Sequence, residues 1–248
     1  MTFKTAFITG ATSGIGKATA EILADQGYKL ILCGRRADRL ERLKEELPTE
    51  VHTLTFDVRN QAEVDEAVAT LPDHLEIDVL INNAGNAHGM APLQSGDVAD
   101  WDAMIDINVK GLLYVTRAVL PGMIDRNNGY IINIGSIAGK EVYPSGNVYC
   151  ASKHAVDAIN QGLRIDLNGT GIKVSAINPG LVETEFSMVR FKGDEDRSRK
   201  VYAGMDALQA RDIAEIIAFM LSRPAHVNLA DILVLPQAQA SSTIVSRK

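Results

Sequence analysis

One stretch near the N-terminus limits the fold more than any other: Thr9-Gly10-Ala11-Thr12-Ser13-Gly14-Ile15-Gly16. It follows an apolar run, Thr5 to Thr9, that fits a buried strand, and it opens a helical pattern reaching about Gln26. Strand, glycine-rich turn and helix form the phosphate-binding start of a dinucleotide fold. The glycines let the backbone turn tightly and approach a pyrophosphate. The helix N-terminus adds free N–H groups and a positive dipole end. The spacing is GxxxGxG, not GxGxxG, and an ordinary strand–helix turn can look the same, so the rest of the chain has to decide.

It decides by alternation. Further apolar runs at Tyr28 to Cys33, Val51 to Phe56, Ile77 to Ile81, Tyr130 to Ile134, Ile172 to Ile177 and Ile232 to Leu235 read as strands. Helical patterns separate them, at Leu40, Leu43 and Leu47 before Pro48, then at 62–69, 99–124, 148–167 and 211–221. Such alternation predicts an α/β fold, one doubly wound domain with a parallel sheet over residues 1–248. Asn108 interrupts the long 99–124 pattern, either because it is exposed or because it holds a local distortion. Residues 183–200, including GDEDRSRK, are polar and read as irregular, with a solvated surface helix as the alternative for the charge run. Their place after a strand's carboxyl end makes about 183–205 the expected substrate lid.

Candidate site residues fall at the carboxyl ends of these strands. Gly34 stands where an NAD-binding fold usually carries an acid for the ribose, and Arg35 and Arg36 follow at once. A guanidinium suits a 2′-phosphate, so the expected cofactor is NADP. Asp57 accepts from the adenine amine or caps the next turn. Asn83, Ala84 and Gly85 close the cleft. Tyr149 and Lys153 stand four apart, on one face of a helix. An adjacent ammonium lowers a phenol's pKa from about 10, which makes the pair a proton donor and acceptor. Ala151, Ala155, Ala158 and Gly162 form a small-residue face suited to another helix or to the chain's own sheet.

The net charge of −6 and the lack of a basic cluster argue against nucleic acid. No apolar run approaches the length of a membrane span, and no signal peptide is apparent. Cys33 and Cys150 belong to no CxxC or zinc pattern, so no metal is expected. Two buried thiols fit a reducing cytoplasm.

TGATSGIG, NNAG, Asn108, Ser136, YCASK and NPG, in this order, resemble the short-chain dehydrogenase/reductase family over essentially the whole chain. The resemblance implies a Rossmann-like sheet of seven strands in the order 3-2-1-4-5-6-7, and a homotetramer. It implies Tyr149 as acid/base, Lys153 as its pKa modifier and ribose ligand, Ser136 as donor to the substrate oxygen, and Asn108 holding a relay water. It also sets Val58, Pro179, Gly180, Val182 and Thr184 at the cofactor, beside the glycine turn. Within the family, 117–136, 180–194 and 222–236 are similar to bacterial and yeast NADP-dependent enzymes that oxidise serine, L-allo-threonine and related 3-hydroxy acids and reduce malonic semialdehyde. Ala138-Gly139-Lys140-Glu141 and Asp194 to Lys200 depart from that group. A carboxylate substrate needs a cation, and Lys153 is committed to the tyrosine. Arg190 is therefore expected to bind it, with Lys192 solvated. The alternatives are a 3-oxoacyl carrier-protein reductase, which needs a basic patch and an open lid, and a dinucleotide sensor, which needs no tetrad.

Overall fold

A computed structural model describes residues 4–248. Seven parallel strands form one sheet in the order β3-β2-β1-β4-β5-β6-β9. They are β1 (Thr5–Thr9), β2 (Lys29–Gly34), β3 (Val51–Thr55), β4 (Val79–Asn82), β5 (Gly129–Ile134), β6 (Ile172–Pro179) and β9 (Asp231–Val234). This is the expected order. Only the number of the last strand differs, because β7 (Val182–Glu183) and β8 (Leu208–Gln209) pair separately.

The strands read as unbroken apolar runs because both faces of the sheet are covered. Ala6, Ile8, Leu30, Leu32 and Ile81 face one layer, with α1 (Gly14–Asp25) packed on α9 (Ala210–Leu221). Phe7, Ile31, Leu80 and Ile131 face the other, under α3 (Gln61–Ala69) and α5 (Leu112–Asp125). The helix α2 (Ala37–Glu46) follows β2 and buries Leu40 and Leu43.

Four regions depart from or refine the sequence reading. The 99–124 pattern is α4 (Val98–Ile105) and α5 joined by a π-helical turn, Asp106–Gly111. Asn108 is buried in that turn, so it holds a distortion and is not exposed. The polar stretch expected to be irregular contains α7 (Phe186–Arg190) and α8 (Glu195–Tyr202). In α8 the Asp194 side chain accepts from Arg197 N, with acids in the first turn and Arg199 and Lys200 in the last. That charge order favours a helix. On α6 (Asn147–Asp166), Ala151 and Ala158 are exposed and a Cβ at Gly162 would meet open space. The small face therefore does not pack on the chain's own sheet. Among the described residues, no helix is long and apolar enough to cross a membrane. Cys33 and Cys150 are free and buried.

Candidate active site

The carboxyl ends of β1 to β6 open into a cavity of about 720 Å³. Its floor is the glycine turn. Gly10 and Gly14 have φ of +65° and +51°, in the left-handed region. A Cβ at Gly16 would lie 2.5 Å from Gly10 O, so α1 approaches its strand too closely for a side chain. Ser13 precedes α1 without capping it. Its hydroxyl instead accepts from Arg36 Nη2 at 3.0 Å, leaving the helix's first N–H groups for an anion. Asn83 ties β4 to this turn, its Nδ2 donating to Thr9 O at 2.9 Å and to Gly10 O at 3.1 Å.

Beyond the turn stand the two arginines. Arg36 donates from Nε and Nη2 to Thr12 Oγ1 at 3.1 and 2.8 Å. Arg35 is more open and lies 3.8 Å from Asp57. Asp57 lines the cavity, but its oxygens accept from Arg59 N, Nε and Nη2. Its part in the fold is the turn-locking one. Partial burial pushes its carboxyl up, yet the Arg59 hydrogen bonds outweigh this and leave its pKa below the usual value.

At the other end, Ser136 lies two residues beyond β5, and Tyr149 and Lys153 project from one turn of α6. Ser136 lines the cavity beside Tyr149, where its hydroxyl tends to lower the phenol's pKa, and its oxygen accepts from Ala138 N at 3.0 Å. Lys153 Nζ donates to Ile134 O at 2.9 Å, and burial lowers its pKa to about 8. For Tyr149 the sequence expectation reverses. Burial raises its pKa and Tyr143 adds to the rise, with only partial relief from Ser136 and Arg190. Residue spacing identified the neighbouring ammonium but not the loss of solvent.

Of the four expected catalytic residues, three line the cavity and Asn108 does not. Asn108 Oδ1 accepts from Asn86 N, and Nδ2 donates to Asn86 O and Ser152 Oγ, at 2.8, 2.8 and 3.0 Å. Among the expected cofactor residues, Gly10, Thr12, Ser13, Gly14, Ile15, Val58, Ala84, Gly85, Pro179, Gly180, Val182 and Thr184 all line it. Gly16 lies behind them.

Arg190, on α7, reaches the Tyr149 end of the cavity. Its guanidinium carbon is 5.8 Å from the Tyr149 ring centre and 5.5 Å from that of Tyr143. Nε donates to Gly89 O at 3.1 Å. Lys192 points away, pairing with Asp100 at 2.9 Å and Asp97 at 3.4 Å. Sequence reasoning missed Tyr143, Phe186, which meets the Tyr149 ring edge-on at 5.7 Å, and Glu185. It also missed the C-terminal tail, which brings Gln239, Thr243 and Arg247 to the cavity. Arg247 holds the tail to Ala203 O and Val201 O. None of these follows a periodic pattern.

The donors fit a phosphorylated dinucleotide: an uncapped helix N-terminus, two hydroxyls and two guanidinium groups at one end, and an ammonium at the other. The comparisons agree. Residues 4–195 match the short chain dehydrogenase family. The chain is 49% identical over 235 residues to the NADP-dependent 3-hydroxy acid dehydrogenase YdfG of Salmonella typhi, covering 94% of this chain and 95% of that one. It is 47% identical over 239 residues to sulfoacetaldehyde reductase 2 of Chromohalobacter salexigens, covering 95% of each. The closed form of serine dehydrogenase complexed with NADP+ superposes with a TM-score of 0.93 at 46% identity, covering 98% of this chain and 99% of that one. This chain belongs to the short chain dehydrogenase family.

Proposed function

We propose that the protein is an NADP-dependent oxidoreductase that interconverts a 3-hydroxy acid and its carbonyl form, of the serine, L-allo-threonine or 3-hydroxypropionate type. The bound cofactor supplies or accepts the hydride. In oxidation, Tyr149 as the phenolate takes the proton from the substrate hydroxyl as hydride leaves its carbon; in reduction the neutral phenol gives the proton back. Ser136 holds the substrate oxygen against the phenol and fixes its orientation. Lys153, a turn away, supplies the positive charge that opposes the burial of a phenolate. The side chain of Asn108 is committed to Asn86 and Ser152, so any part in a proton relay falls to its main chain.

The observation that carries the substrate class is the guanidinium of Arg190 beside the Tyr149 ring. It is a cation at the reacting end, on the proposed lid of about 183–205. A carboxylate drawn into the cavity needs such a partner, and arginine offers it two parallel donors. Relatives named for a 3-hydroxy acid and for sulfoacetaldehyde support an anionic substrate. Arg35 and Arg36, with Thr12 and Ser13, are the proposed seat of the 2′-phosphate. The exposed small face of α6 supports a homotetramer built across α5 and α6, and the free thiols support a cytoplasmic enzyme.

The test is a panel of 3-hydroxy acids and semialdehydes with NADP(H) and NAD(H), followed at the nicotinamide absorbance. The expected result is turnover of free acids with NADP. Activity confined to carrier-bound thioesters would instead establish the carrier-protein reductase, and no turnover at all the sensor.

A further inference from the structure

We infer that Glu185 is the clasp of the lid: its carboxylate ties the segment carrying Arg190 to Arg36 and Arg39, and so governs cofactor release and the placement of Arg190. The inference rests on the proposed lid and NADP site, and assigns positioning roles to Glu185 and Arg39.

The geometry joins two distant parts of the chain. Glu185 Oε2 accepts from Arg36 Nη1 at 2.9 Å, and Oε1 from Arg39 Nη1 at 2.8 Å. Both carboxylate oxygens are thus engaged at the start of α2, by its N-cap Arg36 and by Arg39 in its first turn, 149 and 146 residues away in sequence. Arg36 is the hinge point of the arrangement. Its Nε and Nη2 already rest on Thr12 and Ser13 of the glycine turn, so a single guanidinium joins the phosphate end of the cavity to the lid. The residue before Glu185 is seated on the same turn: a Cβ at Gly14 would come within 3.3 Å of the Thr184 side chain. Five residues after Glu185 the helix α7 ends at Arg190, whose backbone oxygen accepts from Gly89 N at 2.9 Å. The segment from Glu185 to Arg190 is therefore fastened at both ends, to the phosphate end by Glu185 and to the 88–90 loop by Arg190.

An isolated exposed ion pair contributes little, whereas a carboxylate shared by two arginines forms a network. Partial burial pushes the Glu185 carboxyl up, but the hydrogen bonds from Arg39 and Arg36 outweigh it and hold the pKa below the usual value. The clasp is thus closed at neutral pH. With both ends fastened, the cofactor can leave only when one is undone, and the Glu185 end is the more exposed.

Glu185→Gln, Arg39→Ala and the double variant test this. Arg39 touches the clasp and not the cavity, so its removal isolates the ion pair from phosphate binding. NADPH release, read by stopped-flow fluorescence, should quicken about 3- to 10-fold in Glu185→Gln and somewhat less in Arg39→Ala. The double variant should match Glu185→Gln. KM for the 3-hydroxy acid should rise while kcat does not fall. In the cofactor-free protein, tryptic cleavage within α8, after Arg197, Arg199 or Lys200, should quicken in parallel. Added salt should speed the cleavage in the wild type more than in Glu185→Gln, an effect that general loosening does not produce. Wild-type rates of release and cleavage in Glu185→Gln, or effects that multiply in the double variant, would overturn the clasp. Failure of NADPH to bind the wild type would overturn the proposed cofactor, and the cleavage rates would still decide the clasp.

Discussion

Ser136, Tyr149 and Lys153 are 8%, 8% and 7% exposed, whereas the side chains of Glu185 and Lys192, on the segment above them, are 47% and 59% exposed. The two regions face one cavity but are held by different forces. The lower wall is set by strand ends, backbone hydrogen bonds and close packing, where a displaced group leaves a buried partner unsatisfied. The upper wall is set by ion pairs in contact with water, each weak and screened by salt. Chemistry needs fixed distances, and access needs a cover that opens. In the proposed enzyme, this division would place rigidity under the reacting atoms and reversibility over them.

The strongest way to break this comparison is at the lower wall. Tyr149→Phe removes one hydroxyl and should lower kcat by about 10²- to 10⁴-fold, the usual contribution of a positioned acid/base, with NADPH binding retained. A variant keeping most of its kcat would mean that Tyr149 is not the proton donor. Arg36→Ala should weaken NADPH binding about 10- to 150-fold, from roughly 1.5–3 kcal/mol for a charged hydrogen bond. NADH should lose only the several-fold contributed by the clasp. Equal losses for both cofactors in a titration would remove Arg36 from the phosphate.

Lys153 gives a prediction of opposite sign for stability and activity. Burial moves its pKa from 10.5 to about 8, a disfavoured charge of roughly 3 kcal/mol. Its hydrogen bond to Ile134 O returns about 1 kcal/mol. Lys153→Met should therefore stabilise the cofactor-free protein by about 1–2 kcal/mol at pH 7 while abolishing turnover. The sign follows from proton binding. Between pH 10.5 and 8 the unfolded chain takes up a proton that the folded one refuses, so wild-type stability falls as pH drops through that window. Below pH 8 both forms are protonated and the penalty is constant. The advantage of the variant should be full below pH 8 and vanish above about 10.5. Denaturant titrations at several pH values check it, and a destabilised variant at pH 7 would show that the ammonium is well solvated. The smallest effect belongs to the upper wall: Lys192→Ala should change KM by less than about fivefold, and a larger change in steady-state assays would mean that Asp97 and Asp100 fasten the lid as firmly as the clasp does.

The lower wall was legible in the sequence and the upper one only partly. Strand runs such as Leu30 to Cys33 and the turn at Gly10 to Gly16 are local signals, created by burial on both faces and by close backbone approach. Arg190 was legible through chemistry alone, as the cation that a carboxylate would need. Helix α8 stands in the sequence only as a solvated alternative to an irregular lid, although its acids and bases run in helical order, because it has almost no apolar face. The partnership of Glu185 with Arg36 spans 149 residues and leaves no periodic trace, and the tail carrying Gln239 and Arg247 is no more regular. The raised pKa of Tyr149 was misread because residue spacing reports neighbours and not solvent.

The central claim is that Arg190 pairs with an anionic substrate held against Tyr149. Steady-state kinetics of Arg190→Ala on a 3-hydroxy acid and on an uncharged alcohol that fits the cavity, both with NADP, test it most directly. KM for the acid should rise by about 10- to 100-fold, from the roughly 1.5–3 kcal/mol of a charged hydrogen bond, with the alcohol hardly affected. An unchanged KM for the acid, or equal losses on both substrates, would contradict it and remove Arg190 from substrate recognition.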